Sequence, residues 1–192
     1  TFVEKNFRFR MFIDPLGSSK FPEVPGDCVL DIVPAAPAAL ELIGPRLVAP
    51  CQSFDVRLRI DDVWGNTVEN QEATGRLILT APSGKEYDLK ADFASSGWAI
   101  ALVKDVQLDE AGEWLFRGSL DDTSIVSVAT YVTVEAKEND LSVFYADLHV
   151  HSQDTVGTND TYYNLSYGKD VAGLDVLGYT VNDFNVTEAK WD

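Results

Sequence analysis

Histidine and cysteine are scarce in this chain, two of each among 192 residues, and methionine occurs once. Two cysteines are too few for a disulfide scaffold. Cys28 and Cys51 are therefore expected as free, buried thiols, with a single bond between them as the alternative. Basic residues are also few: 15 Lys and Arg stand against 31 Asp and Glu, for a formal net charge of −16. That surplus repels nucleic acid and anionic membranes, and no local basic patch offsets it, so neither is expected as a partner. No apolar run approaches the ~20 residues that span a bilayer, and the first residues show no signal-peptide pattern. Nor is there an opening Met: Thr1-Phe2-Val3 leads at once into an alternating pattern, which reads as a piece of a longer polypeptide.

What remains is ordinary globular composition, 45% hydrophobic and 11% aromatic, enough for one good core or two small ones. The pattern divides it into three parts. Residues 1–35 read as two strands, the first ending near Ile13 and the second at Cys28 to Val33, from a preceding β domain or as an extension of the next sheet. Pro34-Ala35-Ala36-Pro37-Ala38 reads as a stiff connector. Residues 36–137 then show short strands every 8 to 12 residues, as in an immunoglobulin-like antiparallel β-sandwich. Expected strands lie at 40–43, 54–60, 76–80, 87–91, 98–103, 113–118 and 124–134; Phe54, Val56, Leu58 and Ile60, alternating with Asp55, Arg57 and Arg59, form the plainest half-buried example. The segment Asp61-Asp62-Val63-Trp64-Gly65-Asn66-Thr67 resembles a turn of bacterial immunoglobulin-like repeats. Its local reading is carboxylates bonding nearby amides, with a calcium site from Asp61, Asp62 and Asn66 as the minor alternative. The sandwich carries no histidine and no catalytic constellation.

After the polar linker Glu135 to Asp140 the pattern changes to strand, helix, strand over residues 138–192. The first strand, Val143 to Leu148, leads into both histidines, His149 and His151. Residues i and i+2 of a strand share a face, so both imidazoles can face one metal ion. Nine acidic residues and two lysines lie between Asn139 and Asp192, a surplus that attracts cations or is simply a solvated surface. Asn159 or Asp160 caps an expected helix through Tyr162, Leu165 and Val171, with Gly173 at its stop; Leu174 to Thr180 follows as a strand. The two strands are expected to be parallel, with a right-handed crossover. Tyr162, Tyr163 and Tyr167 suit a helix packing face better than a sugar-stacking surface, and Asn159, Asn164 and Asn185 stand in Asn-x-Ser/Thr patterns.

The residues Ala146-Asp147-Leu148-His149-Val150-His151-Ser152, followed by Gly178-Tyr179-Thr180-Val181-Asn182-Asp183, resemble the opening of a PHP (polymerase and histidinol phosphatase) domain. The immunoglobulin-like segment ahead of them is similar to uncharacterised, exported bacterial proteins of that kind. This resemblance implies a truncated α/β barrel with only its first βαβ unit present, and a metal-dependent phosphoesterase in the full-length protein. It also implies a divalent transition metal (zinc, manganese or iron) on His149, His151 and Asp183, with Asp147 orienting a ligand from behind, and an extracytoplasmic location. Where the family has Thr-Asp-His-Asn or Thr-Asp-His-Asp, this chain has Thr180-Val181-Asn182-Asp183, and only Asp154 lies near the position of a further ligand. The fragment itself is accordingly expected to be inactive, with self-association through the incomplete C-terminal unit and contacts to the rest of its own polypeptide. Two function classes follow: a metal-dependent hydrolase with an accessory sandwich, or a non-catalytic immunoglobulin-like binding or structural module for carbohydrate or protein.

Overall fold

The alternation at Phe54 to Ile60 builds the middle strand of a three-stranded antiparallel sheet. In a computed structural model of the chain, which describes residues 3–94, 96–136 and 143–180, this strand, β5 (Phe54–Asp62), lies between β3 (Pro37–Ile43) and β8 (Ile100–Val106). Leu42 pairs with Leu58 and Leu58 with Ala101, so the three form one row on the inner face. Pro37 opens β3 rather than ending a connector, which is tolerated because β3 is an edge strand.

A second sheet of five strands faces the first. Its order is β4 (Leu47–Val48), β10 (Thr130–Val134), β9 (Gly112–Leu120), β6 (Thr74–Thr80) and β7 (Glu86–Asp92), antiparallel except for β4 beside β10. Leu77, Leu79, Trp114, Phe116, Val132 and Val134 point inward from it and bury against Leu40, Leu42, Val56, Leu58 and Ile60. Closed from water on both sides, such a core is the main source of stability. The indole of Trp114 keeps its donor satisfied by bonding the carbonyl of Glu110 at 2.8 Å. At Gly118 the sheets approach closely: a Cβ there would stand 2.9 Å from Leu40 Cδ2 and 3.2 Å from Leu42 Cδ2. The mainly β expectation and the antiparallel sandwich therefore hold.

Two smaller sheets complete the described chain. β1 (Glu4–Phe9) and β2 (Cys28–Ile32) form a hairpin that joins neither sandwich sheet. Cys28 sits on it and Cys51 in a turn with φ 57°; both thiols are free but exposed, so the expectation of burial is corrected. Neither position belongs to the inner face of a sheet, where a small thiol would be covered.

β11 (Ala146–Val150) and β12 (Val176–Tyr179) pair in parallel across α1 (Thr161–Ser166), which continues as a π-helical turn at Tyr167–Val171. Asp160 caps α1, its Oδ1 accepting the Tyr163 N–H at 2.7 Å. Gly173 ends the turn at φ +68°, where a Cβ would meet Ile43 Cγ2 of the sandwich. This unit is a two-stranded sheet set against the sandwich, and among the described residues no barrel is present. None of the described helices is long and apolar enough to cross a membrane.

Candidate functional site

A bidentate ion pair on β5 aims one further guanidinium nitrogen at the C-terminal unit. Arg59 and Asp61 are two apart on β5 and so share a face; the Arg59 Nε and Nη2 bond the two Asp61 oxygens at 2.8 and 2.6 Å. The remaining nitrogen, Nη1, reaches the carbonyl of Val171 at 3.3 Å, at the end of the π-helical turn. Burial works against charge on Arg59, yet the hydrogen bond and the negative charge of Asp61 outweigh it and raise its pKa.

Aromatic rings and polar side chains line the cleft beside this ion pair. Trp98 meets Tyr163 edge-on at 6.1 Å and Tyr167 at 5.7 Å, while the two tyrosines lie nearly parallel at 6.0 Å. The one-turn spacing of Tyr163 and Tyr167 puts both rings on the sandwich side, whereas Tyr162 is 81% exposed. The Tyr167 hydroxyl lies 3.4 Å from Thr67 Oγ1. An isolated bridge pairs Trp98 with Glu69, so the sandwich delivers an indole and a carboxylate to the same place. The cleft has a volume of about 370 Å³, and Asp147, Asn159 and Asn164 complete its polar wall. Burial, followed by Tyr167 and Glu69, raises the pKa of Tyr163 and keeps its hydroxyl a neutral donor.

The histidines stand close by. His149 and His151 leave the end of β11 with their Nε2 atoms 3.1 Å apart and their rings nearly perpendicular. The loop behind them is tied down: the Asn164 side chain donates to the His151 carbonyl at 3.0 Å, and Gly157 passes so near that a Cβ would be 2.5 Å from that oxygen. Asp147 Oδ1 accepts the His149 backbone N–H at 3.0 Å and so orients the chain at His149. Asp154 bonds Ser152 and lies within 3.4 Å of the Thr161 hydroxyl. Asp183, with Val181 and Asn182, lies outside the described residues.

Two imidazole nitrogens each ~2.0–2.1 Å from one zinc ion, at a tetrahedral angle, lie about 3.3–3.4 Å apart. The observed pair comes near that. Among the described residues, however, no three His, Cys, Asp or Glu side chains converge, and the buried His151 Nδ1 has no hydrogen-bond partner where a ligand imidazole ordinarily donates to one. The described residues thus bring two imidazoles together and no third ligand.

The turn at residues 61–67 needs no ion. Asp62 accepts from the backbone N–H groups of Ala35, Trp64 and Asn66 and from the Asn66 side chain, all at 2.8–2.9 Å. Burial disfavours its charge, but those bonds together outweigh burial and hold its pKa well below the ordinary carboxylate range. With four donors already in place, the carboxylate is spoken for, and the calcium alternative is set aside.

No family model matches the chain, and no curated protein matches it. Solved structures do: a CARDB domain from Pyrococcus furiosus in complex with di-metal ions matches at 12% identity and a TM-score of 0.36, covering 50% of this chain and 90% of that one. A superoxide reductase (neelaredoxin) from Ignicoccus hospitalis matches at 13% identity and 0.39, over 52% of this chain and 82% of its own. A putative superoxide reductase from Thermotoga maritima gives 11% and 0.39, over 53% and 89%. Likenesses of this grade concern β-sandwich architecture alone.

The comparisons correct the PHP resemblance: they return β-sandwich proteins and point to no hydrolase of that superfamily. The physical reason is the shortness of the motif. A parallel crossover arises wherever a βαβ unit is built, a five-residue Asp-x-His-x-His run fixes nothing beyond its own strand end, and neither needs a barrel around it.

Sequence reasoning missed Glu69, Trp98 and Thr67. They come from the sandwich while the tyrosines come from residues about 65 to 100 positions later in the chain. The one local signal was Trp98 itself, a large aromatic in a turn before β8 that the sandwich core leaves half-buried.

Proposed function

We propose that the chain is a non-catalytic β-sandwich binding module for carbohydrate or protein. The observation that carries this reading is the cleft between the sandwich and the C-terminal unit, where aromatic rings and unspent polar groups face a space of about 370 Å³. Sites of that size and lining hold small ligands or short segments of larger ones. Its side chains bind and orient. Among the described residues no nucleophile in the cleft is paired with a base, and Tyr163 keeps its proton. The test measures binding and turnover together. The purified chain is applied to glycan and protein arrays and incubated with bis-p-nitrophenyl phosphate. Saturable binding without hydrolysis is expected, whereas hydrolysis abolished by His149→Ala would overturn the reading.

A second reading rests on the 3.1 Å approach of the two histidine Nε2 atoms. It assigns the pair a transition-metal ion, held at two positions, with water or further protein groups at the others. Asp183 is the proposed third ligand from this chain. Elemental analysis after zinc loading and gel filtration is expected to find metal in the native chain and its loss in His149→Ala/His151→Ala. Equal metal in both would refute it.

A further inference from the structure

From the polar inventory of the same cleft we infer that its ligand is a neutral saccharide, one pyranose ring of which packs its C–H face on Tyr163, beside Trp98. The inference rests on the module reading and names the ligand class for that site.

Three features select this chemistry. First, the exposed ring of Tyr163 is a platform and not a slot, with the indole of Trp98 standing across it at 71°. Tyr163 and Tyr167 lie within 6.0 Å of each other at 20°, too close for a planar base to enter between them, while Tyr163 remains 38% exposed. A platform of this kind suits the flat, apolar face of a sugar ring.

Second, the polar wall offers acceptors and donors side by side. Glu69 and the Asn159 side chain make no hydrogen bond among the described residues, and Asp147 spends one carboxylate oxygen on His149 and keeps the other. The carboxylates accept while the Tyr163 hydroxyl and the Asn159 amide also donate, so the ligand must bring groups that do both, and saccharide hydroxyls do. An apolar ligand would desolvate these groups without replacing their water.

Third, charge excludes the acidic alternatives. Glu69 and Asp147 both face the cleft in a chain of net charge −16, which disfavours uronic acids, sulfated glycans and phosphorylated ligands.

The experiment titrates the chain with cellohexaose, maltohexaose, laminarihexaose and xylohexaose, and with a polygalacturonate oligomer as the anionic control. Heat is read by calorimetry, and tryptophan fluorescence is compared with that of Trp98→Phe. At least one neutral oligomer is expected to bind and to perturb Trp98, and the anionic one not to. Tyr163→Ala is expected to weaken binding at least tenfold. Because Tyr163 also packs on Trp98, Glu69→Gln and Asn159→Ala serve as variants at the cleft wall, each expected to weaken binding severalfold at an unchanged melting temperature. Absence of binding to every neutral oligomer at about 10 mM, ten times a millimolar Kd, would overturn the inference and leave the module reading to its protein arm. Binding that survives in all three variants would keep the module reading and refute the cleft as the site.

Discussion

Removing the guanidinium of Arg59 should cost this chain much more than breaking an ordinary surface ion pair. Asp61 is 3% exposed, and its two oxygens receive their side-chain hydrogen bonds from Arg59 at 2.8 and 2.6 Å. Arg59→Met keeps the aliphatic stem and leaves that carboxylate buried without its partner. Deleting one member of a buried pair costs about 3–5 kcal/mol, and the Val171 carbonyl loses its donor as well, worth about 1 kcal/mol. Exposed pairs are worth about 0.2–1 kcal/mol. Against a total stability of roughly 5–15 kcal/mol, the difference is readily measured by urea unfolding followed by tryptophan fluorescence. Arg59→Met/Asp61→Leu removes both charges and should lose less than Arg59→Met alone, which is the mark of a coupled pair. A loss under about 1 kcal/mol in Arg59→Met, the size of an exposed pair, would refute the reasoning. A double variant as unstable as the sum of its singles would do the same.

Gly75→Ala should destabilise by about 1–3 kcal/mol, as overpacking does, because the new Cβ would stand 2.5 Å from the Ser119 backbone carbonyl in the paired strand β9. An unchanged thermal melt would contradict this. Asp62, whose folded pKa is depressed, contributes stability that is present above its unfolded pKa of about 3.9 and is lost as pH falls toward the folded value. Urea midpoints of the native chain should therefore fall more steeply below about pH 4 than those of Asp62→Asn. Parallel profiles would show that the carboxylate is not held as its four hydrogen bonds imply.

The sandwich could be read in advance because its signal is local. A period of two along Phe54 to Ile60 and turn residues every 8 to 12 positions follow from backbone geometry alone, and most expected strands coincide with observed ones to within a few residues. Leu47–Val48 was too short to register. The expected strand at 124–134 shrank to Thr130–Val134, since residues 124–129 pair with β9 at one bridge, Ser119↔Val126, and there the Ser127 hydroxyl rather than a backbone carbonyl takes the Gly118 N–H. The Asp160 cap and the stop at Gly173 were likewise legible, as both satisfy backbone groups within one turn.

By itself, then, the sequence determined an acidic, mainly β chain, its helix with cap and stop, and two histidines sharing one strand face, all properties of neighbours along the backbone. Only the tertiary structure decided that Trp98 and Glu69 meet Tyr163 and Tyr167, that Arg59 reaches Val171, and that the βαβ unit lies against the sandwich. Those meetings join residues about 65 to 112 positions apart, and they depend on which faces remain uncovered once each sheet has buried its own core. A seven-residue motif carries no information about that, and so the motif suggested a barrel where the packing produced a cleft.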